Sequence, residues 1–190
     1  MNRNGVFWGL VGALLLCSAF FARGAMARKF AIVKPSVIVE TGAIVRLEKI
    51  VDGDTILVKV GEETATVRIV GIKAFDPDLN KDPFAVYGRE AVSQIARVAR
   101  DKRIRVLTHV PAKDKFGRIL ATLYVDDQDL ALGLVRDGVA MVYTAFPFPQ
   151  MQVYLREQAA ARAERKGLWG DPLALTRADA LGVEWREEAP

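Results

Sequence analysis

An α+β fold, a small five-stranded β-barrel with three attached α-helices, is predicted by three observations. Polar and apolar residues alternate with period two in five short segments, apolar residues recur at helical spacing in one other while two more carry helix start and stop signals, and the order is three strands, a helix, two strands and then helices.

The first strand is expected over Ala43 to Val51, where Val45 and Leu47 alternate with Arg46 and Glu48, and it ends at an Asp52-Gly53 turn. Ile56, Val58 and Val60 alternate in the second. Gly61-Glu62-Glu63 turns the chain into a third, Thr64 to Val70, with Ala65, Val67 and Ile69 on one side and Thr64, Thr66 and Arg68 on the other. Arg68 is therefore presented away from the apolar face. Gly88 to Arg100 reads as an amphipathic helix with Ala91, Val92, Ile95, Ala96 and Ala99 on one face and Glu90, Gln94 and Arg97 on the other. Two strands follow: Arg103 to Val110, with Ile104, Val106, Thr108 and Val110 on one side, and Arg118 to Val125, with Ile119, Ala121, Leu123 and Val125 aligned; Asp114 to Gly117 makes the turn.

A short helix over Leu130 to Asp137 has Asp129 as its N-cap and Gly138 as its stop. A longer one runs from Gln150 to Lys166 and ends at Gly167, with Arg162, Arg165 and Lys166 complementing the helix dipole in its last turn. Residues 171–190 show no clear periodicity. This element order is that of a five-stranded OB-type barrel carrying helices.

Residues 1–27 read as an export signal: Arg3 gives a positive start, Gly5 to Ala22 is apolar apart from Ser18, and Ala25-Met26-Ala27 offers small residues for cleavage. The alternative is an uncleaved membrane anchor, since the apolar run approaches the ~18 residues that can span a bilayer. Cleavage makes the protein periplasmic or extracellular. The organisation is then signal (1–27), linker (28–42), barrel domain (43–170) and tail (171–190).

Without the signal the chain keeps 25 basic and 23 acidic residues, a net charge of +2. So weak a balance gives no whole-protein footprint for nucleic acid, and any anion site must be made locally. Cys17 is the only cysteine, so the mature chain has no disulfide and no thiolate metal site.

The chemistry-bearing residues stand in short motifs: Val51-Asp52-Gly53-Asp54-Thr55, Val67-Arg68-Ile69-Val70-Gly71-Ile72, Tyr87-Gly88-Arg89-Glu90-Ala91, Asp114-Lys115-Phe116-Gly117-Arg118, Leu134-Val135-Arg136-Asp137-Gly138 and Gly167-Leu168-Trp169. Each is weak alone. In this order and spacing, from about Ala43 to Trp169, they resemble the staphylococcal nuclease (thermonuclease) family.

That resemblance implies phosphodiester hydrolysis of DNA or RNA by water attack at phosphorus, assisted by calcium. Such chemistry needs charge neutralisation on the phosphoryl oxygens, an oriented water and a stabilised leaving oxygen. Two aspartates and a backbone carbonyl hold the ion in the family. Asp54 falls on the first, with Asp52 beside it, and Lys73 falls on the second. The arginines that grip the scissile phosphate correspond to Arg68 and Arg118, since a planar guanidinium can donate two parallel hydrogen bonds to phosphate. Lys115 and Phe116 fall on the second phosphate contact, with Phe116 in place of a tyrosine. The water-orienting glutamate corresponds to Asp76, one methylene shorter, and Phe75 replaces the proline before it. Tyr143 and Phe146 lie near the family's base-stacking tyrosines, where packing is an equal alternative.

Lys73 replaces a −1 ligand with a +1 group. An ammonium ~4 Å from a divalent ion, at an effective dielectric near 20, is repelled by on the order of 8 kcal/mol. Either the lysine swings into solvent and the site lacks one ligand, or its ammonium takes the metal's place beside Asp54 and Asp52. The expectation is a thermonuclease-like protein, calcium-dependent if active, with hydrolysis weakened or altered. A non-catalytic nucleic-acid or polyanion binding module of the same fold is the alternative. His109, the single histidine, has no visible acid or nucleophile partner and reads as structural.

Overall fold

The computed structural model describes residues 37–79 and 81–188; the expected signal and residues 28–36 of the linker lie outside the described residues. Five strands form the expected closed barrel: β1 (Ile44–Asp52), β2 (Thr55–Val60), β3 (Glu63–Ile69), β5 (Arg103–Lys113) and β6 (Ile119–Val125). They are joined in the order β3-β2-β1-β5-β6, antiparallel throughout, and closed by a parallel β3 to β6 contact that pairs Val67 with Ile119 and Ile69 with Ala121. Short β4 (Ile72–Lys73) pairs with β8 (Met141–Val142), and β7 (Gln128–Asp129) extends the sheet beyond β6.

The period-two apolar sets meet inside the barrel. Ile56, Val58, Val67, Ile104 and Leu123 are fully buried, each worth about 1.5–3 kcal/mol relative to exposure. Val110 does not join them. Register between β5 and β6 jumps from Thr108 opposite Ala121 to Lys113 opposite Ile119, and Val110 in the intervening bulge is fully exposed.

Helix α1 (Ala85–Ala99) buries Ala91, Ile95 and Ala99 as the periodicity requires, and it begins earlier than Gly88. Gln94, placed by its polarity on the outer face, is buried and donates its amide to Asp137. A buried amide needs such a partner. Helix α2 (Leu130–Arg136) is capped by the Asp129 side chain accepting from the Leu132 N–H at 3.1 Å. Helix α3 (Met151–Ala163) follows, and a 3-10 turn (Gly167–Gly170) places Trp169 in a second apolar cluster.

The segment beyond Asp171 is a sixteen-residue helix, α4 (Pro172–Glu187), so the described residues contain four α-helices where three are expected. Asp171 caps it, accepting from the Leu173 N–H at 2.8 Å, and Pro172 occupies its first turn. Ala174, Ala178 and Trp185 are buried with Phe75, Met141, Leu168 and Trp169, and this packing overrides the weak apolar signal of the segment.

Candidate phosphate and metal site

The β1–β2 hairpin turns at Gly53 and Asp54, between Asp52 and its cross-strand partner Thr55. A Cβ on Gly53 would lie 2.5 Å from the Ala74 methyl and 2.8 Å from the Ala91 methyl, so only glycine lets the turn seat between the β4 exit and α1. Asp52 Oδ1 accepts the Asp54 N–H at 2.9 Å, and the Asp54 carbonyl accepts the Ile69 N–H at 2.9 Å. The Asp54 side chain is thereby held in the interior, 2% exposed.

Four donors surround that carboxylate. Oδ1 accepts the Thr55 hydroxyl at 3.1 Å and lies 3.1 Å from Arg68 Nη1; Oδ2 accepts the Ala74 N–H at 3.2 Å and lies 3.4 Å from Lys73 Nζ. The Arg68 guanidinium also donates to the carbonyls of Asp54 (3.2 Å), Ile69 (2.7 Å) and Ile72 (2.6 Å). Only 12% of the Arg68 side chain is exposed, whereas half of Lys73 is. Arg68 is thus an internal clamp that ties β3 to the turn and to β4.

The two acids of the turn are driven apart. Burial first, then the charge of Asp54, pushes the Asp52 carboxyl up to about 6, while the Asp54 N–H and, less strongly, Lys73 pull the other way. Burial also works against a charged Asp54. The Arg68 guanidinium, the Lys73 ammonium and the Ala74 N–H outweigh it and hold that carboxyl below its ordinary value.

Arg118 is connected to the site through Thr55. The β5–β6 turn is built by Asp114, whose Oδ1 accepts the N–H groups of Phe116 (2.9 Å) and Arg118 (3.0 Å), while Oδ2 accepts Arg118 Nε at 2.7 Å. Arg118 Nη1 then reaches the Thr55 hydroxyl at 3.5 Å. Thr55 therefore links the two arginines' surroundings, lying between Asp54 and Arg118. Lys115 and Arg118 both stand over the half-exposed Phe116 ring, at 5.2 and 5.4 Å from its centre. Thr55 and Asp114 carry no role in the sequence reading, although both stand in its motifs; the Asp114 spacing of four from Arg118 across a turn is the signal that points to the second.

Arg68, Arg118, Asp52, Asp54 and Lys73 are thus brought together, with Lys115 and Phe116 on the rim. Asp76 is not joined to them. Its Oδ1 accepts the Asp78 N–H at 2.9 Å, and among the described residues no hydrogen bond or ion pair connects it to Asp54, Lys73, Arg68 or Arg118. Phe75, where a proline is expected, turns into the second cluster against Phe84, ring centres 5.2 Å apart, and carries the loop with it. Gly88 allows this, because a Cβ there would collide with the Phe75 carbonyl.

Tyr143 and Phe146 lie together, ring centres 6.1 Å apart, and Phe146 is 60% exposed. The Tyr143 N–H donates to the Gly71 carbonyl, and the edge of Trp185 packs on its ring at 5.1 Å. Burial and the nearby Glu188 carboxylate raise the Tyr143 pKa, against the opposing charge of Arg68. His109 has a ring nitrogen 2.8 Å from the Thr122 hydroxyl, and burial lowers its pKa.

The donor set does not fit a calcium ion. Calcium takes roughly six to eight oxygens, yet the Asp54 carboxylate, with about four lone-pair sites, already faces four donors. The position expected to supply a second carboxylate is a lysine.

Comparison with known proteins agrees with this geometry at the level of the fold and its motifs. Residues 66–171 match the family described as staphylococcal nuclease homologue. The thermonuclease of Staphylococcus intermedius is 26% identical over 122 residues, covering 64% of this chain and 72% of that protein. An uncharacterized endonuclease of Escherichia coli is 30% identical over 127 residues (66% and 76%), and protein ParB of Escherichia coli is 30% identical over 157 residues (78% and 80%). With a family match over more than half its length, the chain belongs to the staphylococcal nuclease family.

Proposed function

We propose that this protein binds nucleic acid, DNA or RNA, through phosphodiester groups at the rim formed by Arg118, Lys115 and Phe116, and that its hydrolytic activity is weakened because Lys73 supplies the positive charge that a metal would carry. The observation that supports this most is the encirclement of Asp54 by Arg68, Thr55, Ala74 and Lys73. An ammonium in that place neutralises Asp54 without an ion, but it offers no coordination sites for a water and cannot lower a water's pKa as a divalent cation does.

Family relationship and the printed names of its relatives support a nucleic-acid phosphodiester as the ligand. Arg118 is oriented through Nε by Asp114, and among the described residues its Nη1 reaches only the Thr55 hydroxyl, at 3.5 Å. Lys115 adds an exposed ammonium. Asp76, bonded to its own loop, is a poor water-orienting base in this arrangement, and displacement of such a group by about one ångström costs on the order of a hundredfold in rate. Export to the periplasm or beyond remains part of the proposal, supported by residues 1–27.

Incubation of the mature chain with single-stranded DNA, with calcium and with a chelator, tests the reading. Binding that survives the chelator, accompanied by slow or no cleavage, is expected. Rapid cleavage abolished by the chelator would contradict it, and absence of binding would leave the barrel as a scaffold only.

A further inference from the structure

The outer face of the barrel carries a row of cations that the rim does not use. Two register shifts in β1 bring Arg46, Lys49 and Asp52, three residues apart each time, opposite Lys59, Leu57 and Thr55 of β2. Those β2 residues oppose Thr64, Thr66 and Arg68 of β3, and Arg46 also opposes Arg103 of β5. Their sequence neighbours Val45, Ile56, Val58, Ala65, Val67 and Ile104 fill the barrel interior, so the named set lies on the outer face of one continuous sheet, with Thr55 and Arg68 at its site end covered and the opposite end open to solvent. That side begins at Asp52, Thr55 and Arg68 and ends in the row Lys59, Arg46, Arg103, all three exposed.

Like charges directly opposite one another on a sheet are destabilising, and here three stand side by side. Other cations of the same region are neutralised: Lys102 by Asp126 at 2.6 Å and Arg105 by Asp127 at 2.7 Å. Neither Arg46, Lys49, Lys59 and Arg103 nor the nearby Glu48, Glu62 and Glu63 form an ion pair among the described residues. Against Glu48, Glu62 and Glu63 the four cations leave this face only slightly positive, but Lys59, Arg46 and Arg103 form an unbroken row of exposed cations at the end of the strands away from the candidate site.

We propose that this outer barrel face is a track for the backbone of the polynucleotide whose phosphodiester is held at the Arg118 rim. The proposal rests on the nucleic-acid reading above. Four residues separate Thr55 from Lys59, roughly 13 Å at the rise of a strand, and the row runs across three strands, roughly 10 Å wide. A mononucleotide at the rim cannot reach that far. A strand with a phosphate at every step can, and it matches a row of point charges without requiring any base contact.

The test is equilibrium binding by the full mature chain of a dinucleotide and of a single-stranded DNA long enough to span both regions, as a function of salt. The triple variant Arg46→Gln, Lys59→Gln, Arg103→Gln is compared with a control of equal charge change, Arg100→Gln, Arg156→Gln, Arg177→Gln, and with Arg118→Ala. The track variant is expected to bind the long strand at least about tenfold more weakly, with a salt slope reduced by about 2, since each neutralised single-strand phosphate contributes about 0.7. Dinucleotide binding should be unchanged, and thermal stability equal or higher because opposed like charges are gone. Unchanged long-strand affinity in the track variant, with a loss in Arg118→Ala, would overturn the track and leave the rim. An equal loss in the control variant would also overturn it. If the track variant keeps DNA binding but loses binding to phosphatidylglycerol vesicles, the face is a lipid surface and the proposal is wrong. No binding of either oligonucleotide by the natural chain would overturn rim and track together.

Discussion

Lys73 Nζ stands 3.4 Å from Asp54 Oδ2, on the opposite carboxylate oxygen from Arg68 Nη1 at 3.1 Å. One buried acid is thus held between two cations of different character: Arg68 is enclosed and locked by three carbonyls, while Lys73 is half exposed on a flexible stem.

The two cations differ in what their loss does. Removing Asp54's charge strands the enclosed guanidinium, so Asp54→Asn should lower stability by about 3–5 kcal/mol in urea denaturation, the range for breaking a buried pair. Lys73→Met should change it by less than about 1 kcal/mol, because a half-exposed ammonium is well solvated without its partner. Equal losses from both would show that Lys73 is held far more tightly than its exposure indicates.

Arg118 and Arg68 separate in the same way. Arg118→Ala should leave the melting temperature nearly unchanged and weaken single-stranded DNA binding by tenfold or more. Arg68→Ala should chiefly destabilise the barrel, and its binding defect should follow the loss of folded protein. A folded Arg68→Ala protein with a selective binding defect would restore Arg68 as a phosphate ligand.

The sign of the pH effect at Asp52 follows from its raised pKa. With the folded carboxyl near 6 and the ordinary value 3.8, the native state binds more protons between those limits. Stability therefore falls as pH rises from about 4 to about 6 and levels off above. The shift corresponds to on the order of 3 kcal/mol. Asp54, whose pKa is lowered, contributes stability that disappears only as pH falls below the ordinary carboxylate range, outside this window. Asp52→Asn should flatten the slope between pH 4 and 6; an unchanged slope would place its origin elsewhere.

The last helix is open to a packing test. Trp185 is 7% exposed and packs on Tyr143. Trp185→Ala should cost about 3 kcal/mol or more, read as a lower urea midpoint. A change below about 0.5 kcal/mol would mean that α4 is not docked in solution.

Much of this architecture is legible in residue order because the barrel strands obey period two: Ala65, Val67 and Ile69 face inward, and so do Ile119, Ala121, Leu123 and Val125. Where backbone pairing departs from regularity, the pattern misleads. The β1 shifts put Lys49 on the face of Arg46, where strict alternation places Glu48, and the β5 bulge turns Val110 to solvent. The α4 helix is not read from the sequence: its Asp171-Pro172 start is a capping signal and Ala174, Ala178, Leu181 and Trp185 share helical spacing, but small residues give them too little hydrophobic contrast to stand out. For the site, the motif residues Asp54, Lys73, Arg68 and Arg118 lie near one another, Arg118 by way of Thr55. What they do not reveal is that Arg68 is enclosed by carbonyls and that Asp76 bonds to its own loop, because both depend on the Ile69–Asp78 backbone path.

Calorimetric titration of calcium into the natural chain and into Lys73→Asp tests the central claim most directly. The account predicts no measurable calcium binding by the natural chain, and measurable binding once the ammonium is replaced by a carboxylate. Tight calcium binding by the natural chain, or no gain in the variant, would contradict it.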